Sequence, residues 1–539
     1  MRARPDGPRI MRVELERGMA DDQRLASRLR CAELLTALSL VTDLGMGNPP
    51  ETAMRGCLIA TRLARLLGLD RRAIADVYYT TLLRYVGCIA PAHEQAFLSG
   101  GDDIGVRARG AYVDSQQRRE ALQLLLLQPG RGEPPLHRAR QVATRIVHPG
   151  IERQMKTADC EAASTTARRL GLAVGVQAAL HQIFERWDGR GVPRGLRAEA
   201  ITLPARFAQV AALAVLLETV VGRDGLFKMI GQRAGGQLDP TVTAAFLGHG
   251  PKLLHEIAEV DLWQAVLEAE PSPHEMVADH DVDNIASAFG DLVDLKTPFT
   301  PGHAAGVADL AERAAHQLKL GDSEVIALRL AALLHDIGRA GVPNSAWERR
   351  GPLTSTDWEQ VRLHAYHSER ILSRSPALAP LAMVAGMHHE RQDGSGYHRQ
   401  VRSTTIPLQA RVLAASDVYQ ALTQERPYRH AYSAESAADR LTEQARQGRL
   451  DEQAVGAVLA AAGHRVRRSG RTWPAGLSDR EVDVLRLVAR GCSTREIGQQ
   501  LVISPKTADH HVQHVYIKIG VSTRASATLF ALEHDLLRD

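Results

Sequence analysis

Histidine and aspartate residues form an ordered series between positions 303 and 417 of this 539-residue chain. Imidazole and carboxylate groups suit Zn, Fe, Mn or Ni, and a single metal takes about four to six ligands. One such histidine alone would more often be a hydrogen-bonded core residue, so only the whole set favours a metal site. Seven ligands are enough for two divalent metal ions (Fe, Mn, Zn or Ni) if a carboxylate bridges them. The predicted ligands are His303, His335, Asp336, His364, His388, His389 and Asp417.

Amphipathic helices are predicted to position these side chains. One helix should begin at Asp322 or Ser323 and stop at Gly338, which places His335 and Asp336 at its C-terminal end. Neighbouring helical residues point about 100° apart, so this pair suits two adjacent metals better than one. The aspartate of the later apolar run RVLAASDVYQAL lies in a helix predicted to be buried. A carboxylate there is costly unless it is paired or bound to a metal.

Four segments around these residues resemble the HD-GYP family of HD-domain phosphohydrolases. They are TPFTPGHAAGVADLAERAAHQLKL (297–320), LLHDIGRAGVP (333–343), HHERQDGSGYH (388–398) and ERPYR (425–429). The resemblance covers about 295–455 and implies an all-helical fold in which the seven residues bind the metals and Asp336 bridges them. It further implies that water activated by the metals hydrolyses cyclic di-GMP or a related phosphoester. Phe299 stands where some members carry a third-metal glutamate, so two metals are expected.

The resemblance also implies residues that bind the substrate. Arg339 replaces the usual lysine after the HDIG motif and keeps its positive charge, although its geometry differs. We assign it, with Asp336, to catalysis. The predicted substrate contacts are Arg339, Tyr397, Arg426 and Arg429, and ordinary surface positions are an equal alternative for the last two. Because the usual GYP motif ends in His398, two functions stay open: a hydrolase, or a non-catalytic ligand-sensing transcription factor.

An internal repeat indicates a second copy of the same fold. TTLLRYVG (80–87) parallels AALLHDIG (331–338), and ERWDGRGVP (185–193) parallels ERQDGSGYH (390–398). The positions equivalent to metal ligands hold Thr52, Arg84, Tyr85, Asp159, Ile183, Phe184 and Ala212, of which only Asp159 could bind a metal. We therefore predict a degenerate, metal-free HD-like domain over 21–270, after a flexible segment 1–20 and before a metal-dependent domain over 275–463. The segment PGRGEPP (129–135) is read as an insertion. A pseudo-dimer half, a sensor pocket and a structural prop all remain possible roles for this copy.

The C-terminal segment 477–537 is predicted to form four short helices after a basic linker at 464–476. Ser478 and Glu481 make a capping box, and a later helix begins after Ser504. The segment closely resembles the LuxR-type helix-turn-helix, which implies binding of double-stranded DNA by the third helix and dimerisation through the fourth. The predicted DNA-contacting residues are Lys506, Thr507, Asp509, His510, Gln513 and Lys518.

Composition sets the wider limits. The chain is 44% apolar and 24% charged, which excludes wholesale disorder, and its net charge of +4 is too small for a nucleic-acid coat. Five scattered cysteines without a CxxC motif argue against disulfides and a cysteine zinc site. No uninterrupted apolar run reaches the length of a membrane span, so we expect a cytoplasmic protein. The expected partners are double-stranded DNA, a second copy of the chain and a small phosphoester such as a cyclic dinucleotide. The fold expectation is all-α: two tandem helical HD-like domains followed by a four-helix LuxR-type domain.

Overall fold

The computed structural model describes residues 29–114, 150–464, 473–534, 536 and 537, together with scattered positions between 115 and 149. Throughout these residues the regular structure is helical and no β-strand forms, which confirms the all-α prediction. The segments 1–20, most of 464–476 and the PGRGEPP segment, for which we made sequence predictions, lie outside the described residues.

Among the described residues of the first half of the helical unit, ten helices form. They are α1 (Cys31–Met46), α2 (Thr52–Leu66), α3 (Arg71–Leu82), α4 (Ala92–Ser99), α5 (Asp103–Gly110), α6 (Ile151–Arg169), α7 (Val174–Leu180), α8 (Leu203–Gln232), α9 (Pro240–Ala258) and α10 (Leu262–Ala269). Short 3₁₀ segments at Val86–Ile89 and Ala198–Ala200 connect them.

Nine helices build the second half. They are α11 (Asp279–Asp294), α12 (His303–Gln317), α13 (Asp322–Leu334), α14 (Asn344–Trp347), α15 (Ser355–Leu372), α16 (Ala379–Gly386), α17 (Leu408–Leu422), α18 (Ala434–Arg446) and α19 (Glu452–Ala461). Here 3₁₀ segments lie at Ile337–Gly341 and Ser403–Thr405.

Helices α1 and α11 end in the same way, although their sequences differ. The carboxylate of Asp43 accepts a hydrogen bond from the backbone N–H of Ala53 at 3.2 Å, and that of Asp294 accepts one from Ala304 at 2.9 Å. Each carboxylate thus caps the first turn of the following helix, where backbone N–H groups lack intrahelical partners. In both halves the capped helix is followed by a second helix and then by a 3₁₀ segment, at Val86–Ile89 and at Ile337–Gly341. This shared order supports the interpretation of the sequence repeat as tandem copies of one fold.

The two halves pack into one compact unit that extends to Gly463. Helix α1 contacts the 3₁₀ segments of both halves, Val86–Ile89 and Ile337–Gly341, and α11 does the same. Apolar residues from both halves therefore belong to a single continuous core. The boundary predicted between residues 270 and 275 does not divide this core.

Helix α8, with 30 residues, is the longest of the described helices. By length and hydropathy alone it could cross a bilayer, but 67% of its apolar window is buried inside the protein. Its backbone departs from helical geometry at Gly222, where φ is 71°. The N-terminal part of α8 packs on α2 and α3, so its apolar surface is used by the core.

The C-terminal unit is a separate small bundle of α20 (Asp479–Ala489), α21 (Thr494–Gln500), α22 (Pro505–Ile519) and α23 (Arg524–Glu533). Ser478 and Ser493 each cap a helix through a reciprocal box with the glutamate three residues on. Ser504 accepts the backbone N–H of Thr507 at 3.1 Å and so starts α22. Four helices with these starting points agree with the sequence prediction.

Candidate metal centre and DNA-binding domain

Three buried histidines share one local geometry. His335, His364 and His388 each direct Nδ1 at the carbonyl oxygen three residues earlier, at 2.6 Å for His335 and His388. A carbonyl oxygen only accepts, so Nδ1 must carry the hydrogen in all three rings. In the neutral ring Nε2 then holds a lone pair, as is typical of histidines that bind metals through this atom.

Two of these lone pairs face each other. Nε2 of His364 lies 3.1 Å from Nε2 of His388, although both Nδ1 atoms already donate to carbonyls. Two acceptors at this distance repel unless a proton or a cation lies near them. Nε2 of His335 is also buried and makes no hydrogen bond. The arrangement therefore fits bound cations.

Two carboxylates complete the cluster. Asp336 Oδ1 lies 3.3 Å from His364 Nε2, and Asp417 contacts His303 Nε2 at 3.1 Å and His389 Nδ1 at 3.7 Å. Potential ligand atoms fall into three overlapping groups, each with all atoms within 4.8 Å of one another. The groups are His364, His388 and His389; His303, His335 and Asp417; and His335, Asp336 and His388. The structure thus brings all seven predicted residues together, over a span of more than 110 positions.

The protonation states favour metal binding. Burial lowers the pKa of His335 to about 4 and lowers that of His389 well below its ordinary value, so both rings are neutral at pH 7. Burial alone would raise the pKa of Asp336, but the nearby His335 and Arg339 hold it well below the ordinary value. Asp417 is likewise held low, against the effect of burial, by the hydrogen bond with His303. Neutral imidazoles and ionised carboxylates are the forms that bind metals.

A cavity of about 530 Å³ opens above this cluster. This volume lies within the range of small-molecule sites. Its wall contains five of the seven clustered residues, together with arginine and aromatic side chains. The clustered residues in the wall are His303, Asp336, His364, His389 and Asp417.

Arg339 is held at the cavity by two contacts. Its Nη1 donates to Asp336 Oδ2 at 2.9 Å, and its guanidinium carbon lies 4.3 Å from the centre of the Trp347 ring. Arg339 lines the cavity, and its planar guanidinium has further N–H donors besides the one that binds Asp336. Its position therefore suits the predicted contact with a phosphate.

The other two predicted arginines differ in their surroundings. Arg426 lines the cavity and donates to the carbonyl of Phe299 at 2.7 Å, and burial lowers its pKa to about 10. Arg429 does not line the cavity. Its guanidinium donates to backbone carbonyls at the end of α17, Ala421 and Leu422, and in the following loop, Gln424 and His430. Arg429 thus holds the loop in shape, which differs from the predicted substrate contact.

The loop that contains Tyr397 is fixed by one buried carboxylate. Glu390 accepts backbone N–H groups from Arg399, Gln400 and Val401, at 2.6 to 3.2 Å. A Cβ atom on Gly396 would lie only 2.5 Å from the Cα of Glu390, which explains the glycine of the DGSG motif. Tyr397 lines the cavity and its ring centre is 4.7 Å from that of His389, as its predicted role requires.

The equivalent place in the first half is filled by side chains. Arg84 donates to the carbonyl of Ile183 at 3.0 Å and lies over the rings of Tyr85 and Phe184. Tyr85 packs with Met46, Cys88 and Ala212 in a small apolar cluster. Within the described residues, every potential metal-binding group belongs to the second half. Side chains thus occupy the place that the metal ligands take in the second half.

A buried ion pair joins the first half to the cavity wall, and no sequence pattern predicts it. Lys296 Nζ donates to Asp103 Oδ2 at 2.8 Å, with 2% and 0% of the side chains exposed. Asp103 also accepts the backbone N–H of Asn344 at 2.8 Å, and Asn344 donates to the carbonyl of Lys296. These contacts fix the two segments that supply Phe299 and Trp347 to the cavity.

In the C-terminal unit, α22 exposes most of the predicted DNA contacts. Lys506, Thr507, Asp509, His510 and Gln513 are exposed, whereas Val512 and Val515 are buried against the other helices.

Lys518 differs from that group. Its ammonium donates to Glu481 Oε2 at 2.7 Å and to the carbonyl of Gly476 at 3.1 Å. Lys518 is therefore engaged within its own domain, which its predicted contact with DNA did not anticipate.

Comparisons with known proteins agree with this geometry. Residues 287–454 match the HD domain family, and residues 475–531 match the luxR family of bacterial regulatory proteins. The fold and the histidine–aspartate cluster thus define a metal-dependent phosphohydrolase of the HD-domain class, joined to a LuxR-type domain.

Relatives extend over most of the helical unit. The chain is 31% identical over 411 residues to 3'3'-cGAMP-specific phosphodiesterase 3 of Vibrio cholerae, which covers 75% of this chain and 89% of the relative. It is 37% identical over 180 residues to a cyclic di-GMP phosphodiesterase of Pseudomonas aeruginosa, covering 33% and 43%. The crystal structure of the cyclic GMP-AMP-specific phosphodiesterase V-cGAP3 of V. cholerae matches with a TM-score of 0.55 at 27% identity, covering 81% of this chain and 98% of that one. The chain belongs to the HD-GYP family of HD-domain phosphodiesterases.

Proposed function

We propose that the second half of the helical unit hydrolyses a phosphodiester bond of a cyclic dinucleotide, such as 3'3'-cGAMP or cyclic di-GMP, with two divalent metal ions. The observation that carries the proposal is the pair of Nε2 lone pairs of His364 and His388, 3.1 Å apart beside an ionised Asp336. The relatives from V. cholerae and P. aeruginosa, which are named as phosphodiesterases of these two cyclic dinucleotides, support the substrate class.

The clustered ligands and the two arginines of the cavity would have different roles. Cations bound by the seven clustered side chains would neutralise a phosphodiester and lower the pKa of water. Asp336 lies between the other ligands, because its two oxygens are 3.3 Å from His364 and 3.5 Å from His335, which suits a bridging ligand. Arg339 and Arg426 bring two guanidinium charges to the cavity wall and would hold the phosphate oxygens.

The test combines metal content with turnover. The full-length protein loaded with Mn²⁺ or Fe²⁺ should hold about two metals per chain and hydrolyse 3'3'-cGAMP or cyclic di-GMP. Asp336→Ala should lose metal and lower turnover at least about 100-fold. His316→Ala, which removes an exposed histidine of the same unit, is the matched control and should retain both.

Two outcomes would contradict the proposal. Protein that holds two metals and binds the dinucleotide without turnover would instead be a ligand-sensing regulator. Protein that holds no metal under any loading condition would remove the basis of the site.

We further infer that the C-terminal unit binds double-stranded DNA through α22 and that the protein is a homodimeric transcriptional regulator in the cytoplasm. The exposed polar side chains of Lys506, His510 and Gln513 lie along one helix that fits the major groove. Leu529 and Leu532 of α23 are 60% and 58% exposed, an apolar surface suited to a second copy. A symmetric dimer would contact two half-sites.

A further inference from the structure

Aromatic side chains are concentrated around the cavity. Aromatic residues make up only 4% of the chain, yet five of them line this one space. They are Phe299, Trp347, Trp358, Tyr397 and Tyr428. Trp347 holds Arg339 and Tyr397 packs on His389, so these two rings already support the metal and phosphate site. The further rings at the same cavity point to a ligand with its own flat apolar surfaces.

Two of the five rings are exposed to solvent. Trp358 is 44% exposed, whereas the chain's four other tryptophans are less exposed. Tyr428 is 62% exposed. Large aromatic rings that do not serve the core are available to a ligand.

Both exposed rings line the cavity, and each is held by its local structure. Trp358 is in the first turn of α15, six residues before His364 on the same helix, which corresponds to about 9 Å along the axis. The guanidinium carbon of Arg362, one turn later, lies 5.8 Å from the Trp358 ring centre and restrains the indole. Tyr428 lies in a tight turn closed by two backbone hydrogen bonds between Arg426 and Arg429, at 3.0 and 3.1 Å.

The two chemistries of the cavity are therefore spatially separated. The clustered metal ligands and Arg339 provide a site for the negatively charged phosphodiester, and the exposed rings lie farther out. A nucleotide has the complementary division, since its phosphate is charged and its base presents a flat π surface. Stacking on aromatic side chains is a common way for proteins to hold bases.

We propose that Trp358 and Tyr428 stack on the bases of the cyclic dinucleotide and so select nucleotide substrates over other phosphodiesters. The inference rests on the proposed function, because it assigns a role to the same cavity. Both are substrate-binding residues and neither touches the reacting phosphorus.

The experiment compares two classes of substrate, cyclic dinucleotides and a small diester, across matched variants. Full-length, metal-loaded wild type, Trp358→Ala, Tyr428→Ala and Tyr366→Ala are assayed for kcat/KM with 3'3'-cGAMP, cyclic di-GMP and methyl p-nitrophenyl phosphate, a small diester without a base. Tyr366 is the control because it is also exposed on α15, at 39%, but does not line the cavity.

Loss of one stacked base should lower kcat/KM for the dinucleotides about 5- to 100-fold. The loss should exceed that for the small diester by at least about fivefold, and Trp358→Phe should restore most of it, because a phenyl ring can still stack. The dinucleotide should also quench tryptophan fluorescence in the wild type, and less in Trp358→Phe. Tyr366→Ala should behave as the wild type in each assay.

The failures are distinguishable. If the metal-loaded wild type hydrolyses no substrate, the proposed function fails. The stacking proposal is refuted, while the hydrolase remains, if the wild type is active and Trp358→Ala and Tyr428→Ala have the same kcat/KM as the Tyr366→Ala control. It is also refuted if the two variants lower kcat/KM equally for the dinucleotides and for the small diester.

Discussion

Asp159 is the one potential ligand that remains at the first-half position equivalent to His364. Only 8% of Asp159 is exposed to solvent, and its Oδ1 makes no hydrogen bond. Burial raises the pKa of Asp159 from 3.8 to about 7, against the opposing charges of Arg107 and Lys156. We expect Asp159→Asn to stabilise the helical unit above pH 7.

The direction of the stability change with pH follows from proton binding. Because the pKa of Asp159 is higher in the folded than in the unfolded chain, the folded state binds more protons between about pH 4 and 7, and stability falls as the pH rises through this range. The difference between 3.8 and about 7 corresponds to roughly 4 kcal/mol at a pH above both values. A unit of this size has an unfolding entropy of about 1 kcal/mol/K, so the expected gain in melting temperature is about 4 °C.

The assay is thermal unfolding of the full-length variant and the wild type between pH 5 and pH 8.5. The two melting temperatures should be similar at pH 5, where Asp159 is neutral, and should diverge above pH 7. Exposed Asp224→Asn removes a carboxylate from the same half and should show no such divergence. A gap between Asp159→Asn and the wild type that is independent of pH, or of opposite sign, would refute the reasoning.

Three further outcomes are expected. Asp103→Asn should leave the buried ammonium of Lys296 without its charged partner and destabilise the helical unit by about 3–5 kcal/mol, and an unchanged melting temperature would show that the pair is dispensable. Arg429→Ala should lower the melting temperature, because four carbonyls lose their donor, and a large rise in KM at unchanged stability would favour the substrate role instead. Lys506→Ala should reduce the slope of log DNA affinity against log salt concentration by about one. Lys518→Ala should mainly lower the thermal stability of the C-terminal unit, because it removes the contact with Glu481. Equal slopes in the two variants would contradict these different roles.

The ordered ligand set shows what local sequence can predict. His335 and Asp336 follow a helix whose apolar positions are legible in the sequence, and the motif around them led to the correct family and enzyme class. The capping residues Ser478 and Ser504 likewise marked helices of the C-terminal unit at the right places. In both cases the information lies within a few helical turns, where spacing fixes direction.

Residues with the same charge proved harder to separate. Arg426 and Arg429 are three positions apart, but one lines the cavity and the other donates to its own loop. Lys506 and Lys518 share a helix, yet only Lys518 is paired with Glu481. Which partner a long cationic side chain meets depends on atoms brought near by the fold, so spacing along the chain could not distinguish them.

By itself, the sequence determined the helical periodicity, the order of the nitrogen and oxygen ligands and the replacement of those ligands in the first copy. Only the tertiary structure decided that Lys296 meets Asp103 across 193 positions, that Arg84 and Tyr85 fill the first-half site, and that Trp358 lines the cavity of the second half. The physical reason is the distance along the chain over which each interaction acts. Backbone hydrogen bonds and apolar spacing act between near neighbours, whereas burial and ion pairing depend on every segment that packs around a side chain.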